Sequence, residues 1–139
     1  EILQKVSINE PEYYIEKYLP RNGYIAYTPG PVEVFVEMVY WNKSDGSQLI
    51  ATQSRSCGPV CDMEISFESY KDGSYEKKNG VIPDQIMLSE KLVPGSTTDD
   101  SEPYEFYFKF PIEGKDLQYC IGEACLTLEW SDGVFVLKE

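Results

Sequence analysis

Four cysteines stand in two close pairs, Cys57 and Cys61 in "CGPVC" and Cys120 and Cys125 in "CIGEAC". Three chemistries use such spacing: a disulfide that clamps a turn, a thiolate cluster that holds zinc, and a dithiol that cycles between oxidation states. Neither pair has the C-x-x-C spacing of a redox dithiol, and a formal net charge of −12 disfavours a thiolate. The spacing also departs from the usual C-x2-C of a zinc knuckle. Gly58-Pro59 and Gly122-Glu123 are turn-forming units inside the two gaps. Disulfides within each motif, 57–61 and 120–125, are therefore the expected pairing, with cross-pairing as the alternative. They place the chain in an oxidising setting: extracellular, periplasmic or at a cell surface.

The absence of histidine narrows the remaining chemistry. It removes Ser-His-Asp and Cys-His catalysis, imidazole bases and histidine metal ligands together. Paired carboxylates could still cleave a glycosidic bond, and the chain has 24 Asp and Glu residues. A lone β domain of this length has little depth for a substrate cleft, so a non-catalytic protein with no cofactor and no metal is expected. Asp99, Asp100 and Glu102 in "TTDDSE" form an acidic loop able to face a cation or a basic surface. Trp41, Tyr70 and Tyr107 are assigned to the faces of their strands away from the best-patterned core, where rings commonly meet a protein or a sugar. In a protein of eukaryotic source, "NKS" at 42–44 is an N-glycosylation acceptor pattern.

Charge selects among partners. With 12 basic residues against 24 acidic ones, nucleic acid and anionic membrane surfaces are repelled. A protein partner, a basic one in particular, and a neutral carbohydrate remain compatible, as does plain solubility by self-repulsion. No run of about 18 apolar residues is present, so no membrane span is expected in this segment.

The elements that would hold these residues are mostly strands. "NEPEYYIEKYLP" carries a capping-box pattern, Asn9 with Glu12, before Pro20 and predicts a helix over about 10–19. From about residue 24 the pattern is β. "DMEISFESY" and "YEFYFKF" alternate strictly, and Asp45-Gly46, Asp72-Gly73 and Asp132-Gly133 mark hairpin turns. If Asp132-Gly133 is a two-residue turn, Trp130 faces Phe135 and Leu128 faces Leu137; a type II′ turn at Gly122-Glu123 sets Cys120 opposite Cys125. The expectation is one domain over 1–139, an all-β antiparallel sandwich of about seven to nine strands with one short N-terminal helix. Its expected role is a secreted or cell-surface module recognising another protein, such as an adhesin, pilin-like subunit or receptor domain. The alternatives are an acidic inhibitor or immunity protein against a basic enzyme and a carbohydrate-binding module.

Overall fold

A computed structural model describes residues 13–19, 23–29, 34–57, 61–95 and 105–139. The chain builds an antiparallel β-sandwich from two meanders that follow one another in sequence. The first sheet orders β1 (Tyr13–Leu19), β2 (Tyr24–Pro29), β3 (Val34–Asn42), β4 (Gln48–Cys57), β5 (Cys61–Lys71) and β6 (Ser74–Lys78) as they occur along the chain. A short helix, α1 (Gln85–Leu92), leads to the second sheet, made of β7 (Phe106–Lys109), β8 (Leu117–Ile121), β9 (Ala124–Ser131) and β10 (Val134–Leu137).

Turn chemistry explains the meanders. Asp72 (φ 50°) with Gly73 (φ 83°), and Asp132 (φ 41°) with Gly133 (φ 111°), place both central residues in the left-handed region. A type I′ turn requires this, and its twist matches that of the strands it joins. The register after the last turn follows the sequence reading, with Ser131 opposite Val134, Trp130 opposite Phe135 and Leu128 opposite Leu137.

The predicted helix over about 10–19 is a strand instead. Residues 13–19 form β1, paired with β2, and 10–12 lie outside the described residues. The register slips by one between Ile15 and Lys17, so that Ile15 and Tyr18, three apart in sequence, pair with Tyr27 and Ile25, two apart. A bulge of this kind turns strand alternation into an i, i+3 spacing that imitates a helix. Three tyrosines and an isoleucine in seven residues favour the strand, and a ten-residue helix standing alone is marginal in water.

The two sheets share one apolar cluster. Tyr24, Ala26, Val39, Trp41, Leu49, Ala51 and Phe67 meet Phe108, Leu117, Tyr119, Leu128 and Phe135 across the sandwich. Burial of each large aliphatic chain there contributes about 1.5–3 kcal/mol. The inward face of β3 is thus Phe35, Glu37, Val39 and Trp41, opposite to the assignment of Trp41 to the face away from the core. Trp41 decides this: its ring stacks on Trp130 at 5.5 Å and meets Phe135 edge-on at 4.9 Å.

One buried polar network ties the sheets together. Gln53 on β4 is 3% exposed; its Nε2 donates to the Phe108 carbonyl at 2.9 Å and its Oε1 accepts from the Phe108 N–H at 2.9 Å. The amide thereby imitates a neighbouring strand on the free edge of β7. Nε2 also donates to Glu37 Oε1 at 3.1 Å, and Tyr24 Oη donates to Glu37 Oε2 at 2.6 Å, which satisfies the inward-facing carboxylate.

The helix closes the interior beside β8 and β9. Asp84 caps it by accepting from the N–H groups of Ile86 and Met87, Leu88 is buried, and the hydroxyls of Ser89 and Tyr119 lie 2.6 Å apart. Just before it, the Val81 carbonyl accepts from the Phe135 N–H at 2.8 Å and covers part of the β10 edge.

Candidate functional site

Among the described residues, the outward face of β3 to β6 carries a set of polar and aromatic side chains that the core does not use. β5 alternates so strictly that Met63, Ile65 and Phe67 turn inward, which sends Asp62, Glu64, Ser66 and Glu68 outward, all exposed. Successive residues on one strand face are about 7 Å apart, so the carboxylates form a column roughly 20 Å long. Next to it on β4 lies a lane of small polar groups, Ser56, Ser54 and Thr52, paired with Asp62, Glu64 and Ser66. β3 carries apolar residues beyond this lane: Val36, which is buried, and Met38, half-buried, pair with Ser54 and Thr52, and the exposed Tyr40 pairs with Ile50. The face grades from apolar through hydroxyl to acidic across three strands.

At one end of the column stands an aromatic pair. Tyr70 and Tyr75 are directly opposite across β5 and β6, their ring centroids are 4.8 Å apart, and Tyr75 is 65% exposed. The strand β6 is an edge strand carrying Glu76, Lys77 and Lys78, and its charges oppose pairing with foreign strands. Glu68 lies opposite Lys77, and Lys78 pairs with Glu76 at 3.3 Å in solvent.

Two aspartates fasten the loops at the same end. Asp45 accepts from the hydroxyl and the N–H of Ser47 inside the β3–β4 loop. Asp132 reaches across to that loop and accepts from the hydroxyl and the N–H of Ser44, joining the turn between β9 and β10 to the first sheet. In each case the serine hydroxyl, then the serine N–H, holds the carboxyl below its ordinary pKa.

The residues singled out from sequence fall in different places. All four cysteines are bridged, Cys57 to Cys61 and Cys120 to Cys125, in the local pairing and not the crossed one. Each bridge joins directly opposite residues of a hairpin. Tyr70 belongs to the outward aromatic pair. Trp41 does not reach the surface: it is 4% exposed, and its Nε1 donates to the Lys115 carbonyl at 2.8 Å. Tyr107 is half-buried opposite Cys120, and its hydroxyl donates to the Gly122 carbonyl at 2.8 Å, so the ring runs along the bridged hairpin as a brace. Asp99, Asp100 and Glu102 lie outside the described residues.

Sequence reasoning missed Tyr75 and the acidic column. The signal for the column lies in the alternation of "DMEISFESY", whose apolar half points to the core and whose acidic half, taken alone, looks like any solvated strand face. Tyr75 gave no signal, because its strand is too short and polar to show a period.

Among the described residues, no three His, Cys, Asp or Glu side chains are grouped so as to hold a metal ion, and no helix is long and apolar enough to cross a membrane. The hollow beside α1, lined by Asp84, Ile86, Met87, Glu90 and Lys91, is open and shallow. The fold defines the molecule as an all-β sandwich with two hairpin disulfides. No protein-family model, curated protein or solved structure matches the chain.

Proposed function

We propose that this is a non-catalytic recognition domain acting outside the cytosol, where it binds another protein through the outward face of β3 to β6. The observation that carries the reading is the exposed column Asp62, Glu64 and Glu68 ending at the Tyr70–Tyr75 pair. Flat faces suit macromolecules, whereas small substrates require a concave site that surrounds them. Tyrosines supply contact area at low entropic cost, and an acidic column with a net charge of −12 steers a basic surface toward them. Both disulfides fit an oxidising compartment, and a chain without histidine fits a domain that binds without turning over.

The acidic inhibitor of a basic enzyme is the form of this reading in which the partner is an enzyme. A sugar-binding role has less support, because Trp41 and Tyr107, two of the three rings assigned to it, serve the core and the bridged hairpin.

Cross-linking at the surface of the producing cells identifies a partner, and association kinetics then test the face. Glu64→Lys with Glu68→Lys is expected to slow association by about tenfold or more, and raised salt to do the same to the wild type. Tyr75→Ser is expected to speed dissociation. Binding of a neutral polysaccharide, insensitive to salt and to both charge reversals, would refute the reading.

A further inference from the structure

The Asn42-Lys43-Ser44 motif has no part in the acidic column or the tyrosine pair described above. The chain has three other asparagines, Asn9, Asn22 and Asn79, and none is followed by the x-Ser/Thr pattern. Asn42 ends β3 at the mouth of a loop, is exposed, and its Oδ1 accepts from Gln48 Nε2 at 3.1 Å. Its Nδ2 makes no hydrogen bond to the described residues. Lys43 leaves the middle position free of proline, and Ser44 is exposed.

A second, independent feature lies two residues earlier. Tyr40 shares the outward face of β3 with Asn42 and is 38% exposed. Its ring lies against the backbone of Gly23: a Cβ placed there would come within 2.9–3.2 Å of three ring atoms. Gly23 therefore leaves room for the Tyr40 ring, which stays partly exposed on the strand face that Asn42 shares. A fixed aromatic face next to an acceptor nitrogen is what the first sugar of a glycan packs on, through its axial C–H groups.

We propose that Asn42 is an N-glycosylation site and that Tyr40 is the platform for its first N-acetylglucosamine. In the transfer, Asn42 Nδ2 forms a bond to C1 of the reducing sugar of a lipid-pyrophosphate-linked oligosaccharide. The C1–O bond to pyrophosphate breaks, the lipid pyrophosphate leaves with the electron pair, and the displaced amide proton passes to a base of the transferring enzyme. The site requires the extracytoplasmic placement proposed above and a eukaryotic source, and it lies at the β3 end of the same outward face.

The test is secretion of the full chain behind a cleavable leader from cultured eukaryotic cells, followed by intact and peptide mass spectrometry. Asn42 is expected to carry a glycan, and peptide amidase treatment to leave aspartate at that position. Asn42→Gln and Ser44→Ala should abolish the modification, while Ser44→Thr keeps it. Removing the glycan enzymatically should lower the Tm of the wild type by roughly 2–4 °C, and this difference should vanish in Tyr40→Thr. Because each variant is compared with its own deglycosylated form, any cost of the substitution itself cancels. An oxidised chain with both bridges and a bare Asn42 would overturn the modification while leaving the extracytoplasmic reading intact. An equal Tm difference in Tyr40→Thr would overturn the platform.

Discussion

Replacing Gln53 by methionine keeps the length of the side chain and removes all of its hydrogen bonds. In the wild type those bonds serve both polar backbone groups of Phe108 and one oxygen of Glu37. The variant leaves the Phe108 N–H and carbonyl without partners at a buried position, and each such group costs about 1–3 kcal/mol. Glu37 keeps Tyr24 and is only half-buried, so its share is small. The expected loss is about 2–5 kcal/mol, a large part of the roughly 5–15 kcal/mol by which a domain is stable. Urea unfolding followed by the fluorescence of Trp41 and Trp130, with the disulfides intact, should show the midpoint fall by about 1–2 M. Hydrogen exchange localises the effect. The Phe108 amide should lose its protection, while the amides between β8 and β9 that exchange only on local opening keep theirs. A variant within about 0.5 kcal/mol of the wild type, with Phe108 still protected, would refute the claim that this side chain seals the β7 edge.

Other expectations follow from separate features. Under native conditions a mild reductant followed by alkylation should open Cys57–Cys61 before Cys120–Cys125, because both sulfurs of the first bridge belong to partly exposed residues whereas in the second only Cys125 is partly exposed and Cys120 is 0% exposed beside Tyr107; Tyr107→Ala should narrow the gap in rates. The depressed carboxyl pKa values of Asp45 and Asp132 mean that their contribution is fully present above the ordinary aspartate range and is lost as pH falls through the folded values. Asp45→Asn with Asp132→Asn should therefore flatten the acid limb of stability below about pH 4, measured by urea midpoints, since asparagine tolerates the left-handed backbone at 132. Gly23→Ala combines a φ of 67° with a clash against the Tyr40 ring and should cost roughly 1–2 kcal/mol or more by thermal unfolding.

What could be read from the sequence was local. The Gly122-Glu123 turn places Cys120 opposite Cys125, and the Asp132-Gly133 turn fixes the register of β9 with β10, because in each a short turn and an alternating pattern agree. Where two solutions had similar local merit, distant partners decided. Both faces of β3 are apolar, and only the Trp41–Trp130–Phe135 cluster on the opposite sheet selects the inward one. The extra residue between Ile15 and Lys17 disguised β1, and α1 has a single buried side chain, Leu88, too little to produce a helical period. The role of Gln53 has no local signature, because its partner lies 55 residues away. For the surface, alternation placed the β5 carboxylates outward, but the lane of hydroxyls and the tyrosine pair beside them depend on which strands become neighbours.

The order of strands in both sheets is the order of synthesis, and this bears on how the chain is oxidised. Cys57 meets Cys61 after four residues and Cys120 meets Cys125 after five, each across a hairpin that closes on itself. A chain entering an oxidising compartment from its N-terminus therefore presents the first thiol pair before the second pair has arrived. Correct pairing is set by arrival time as well as by geometry, so maturation should proceed with little dependence on a disulfide isomerase.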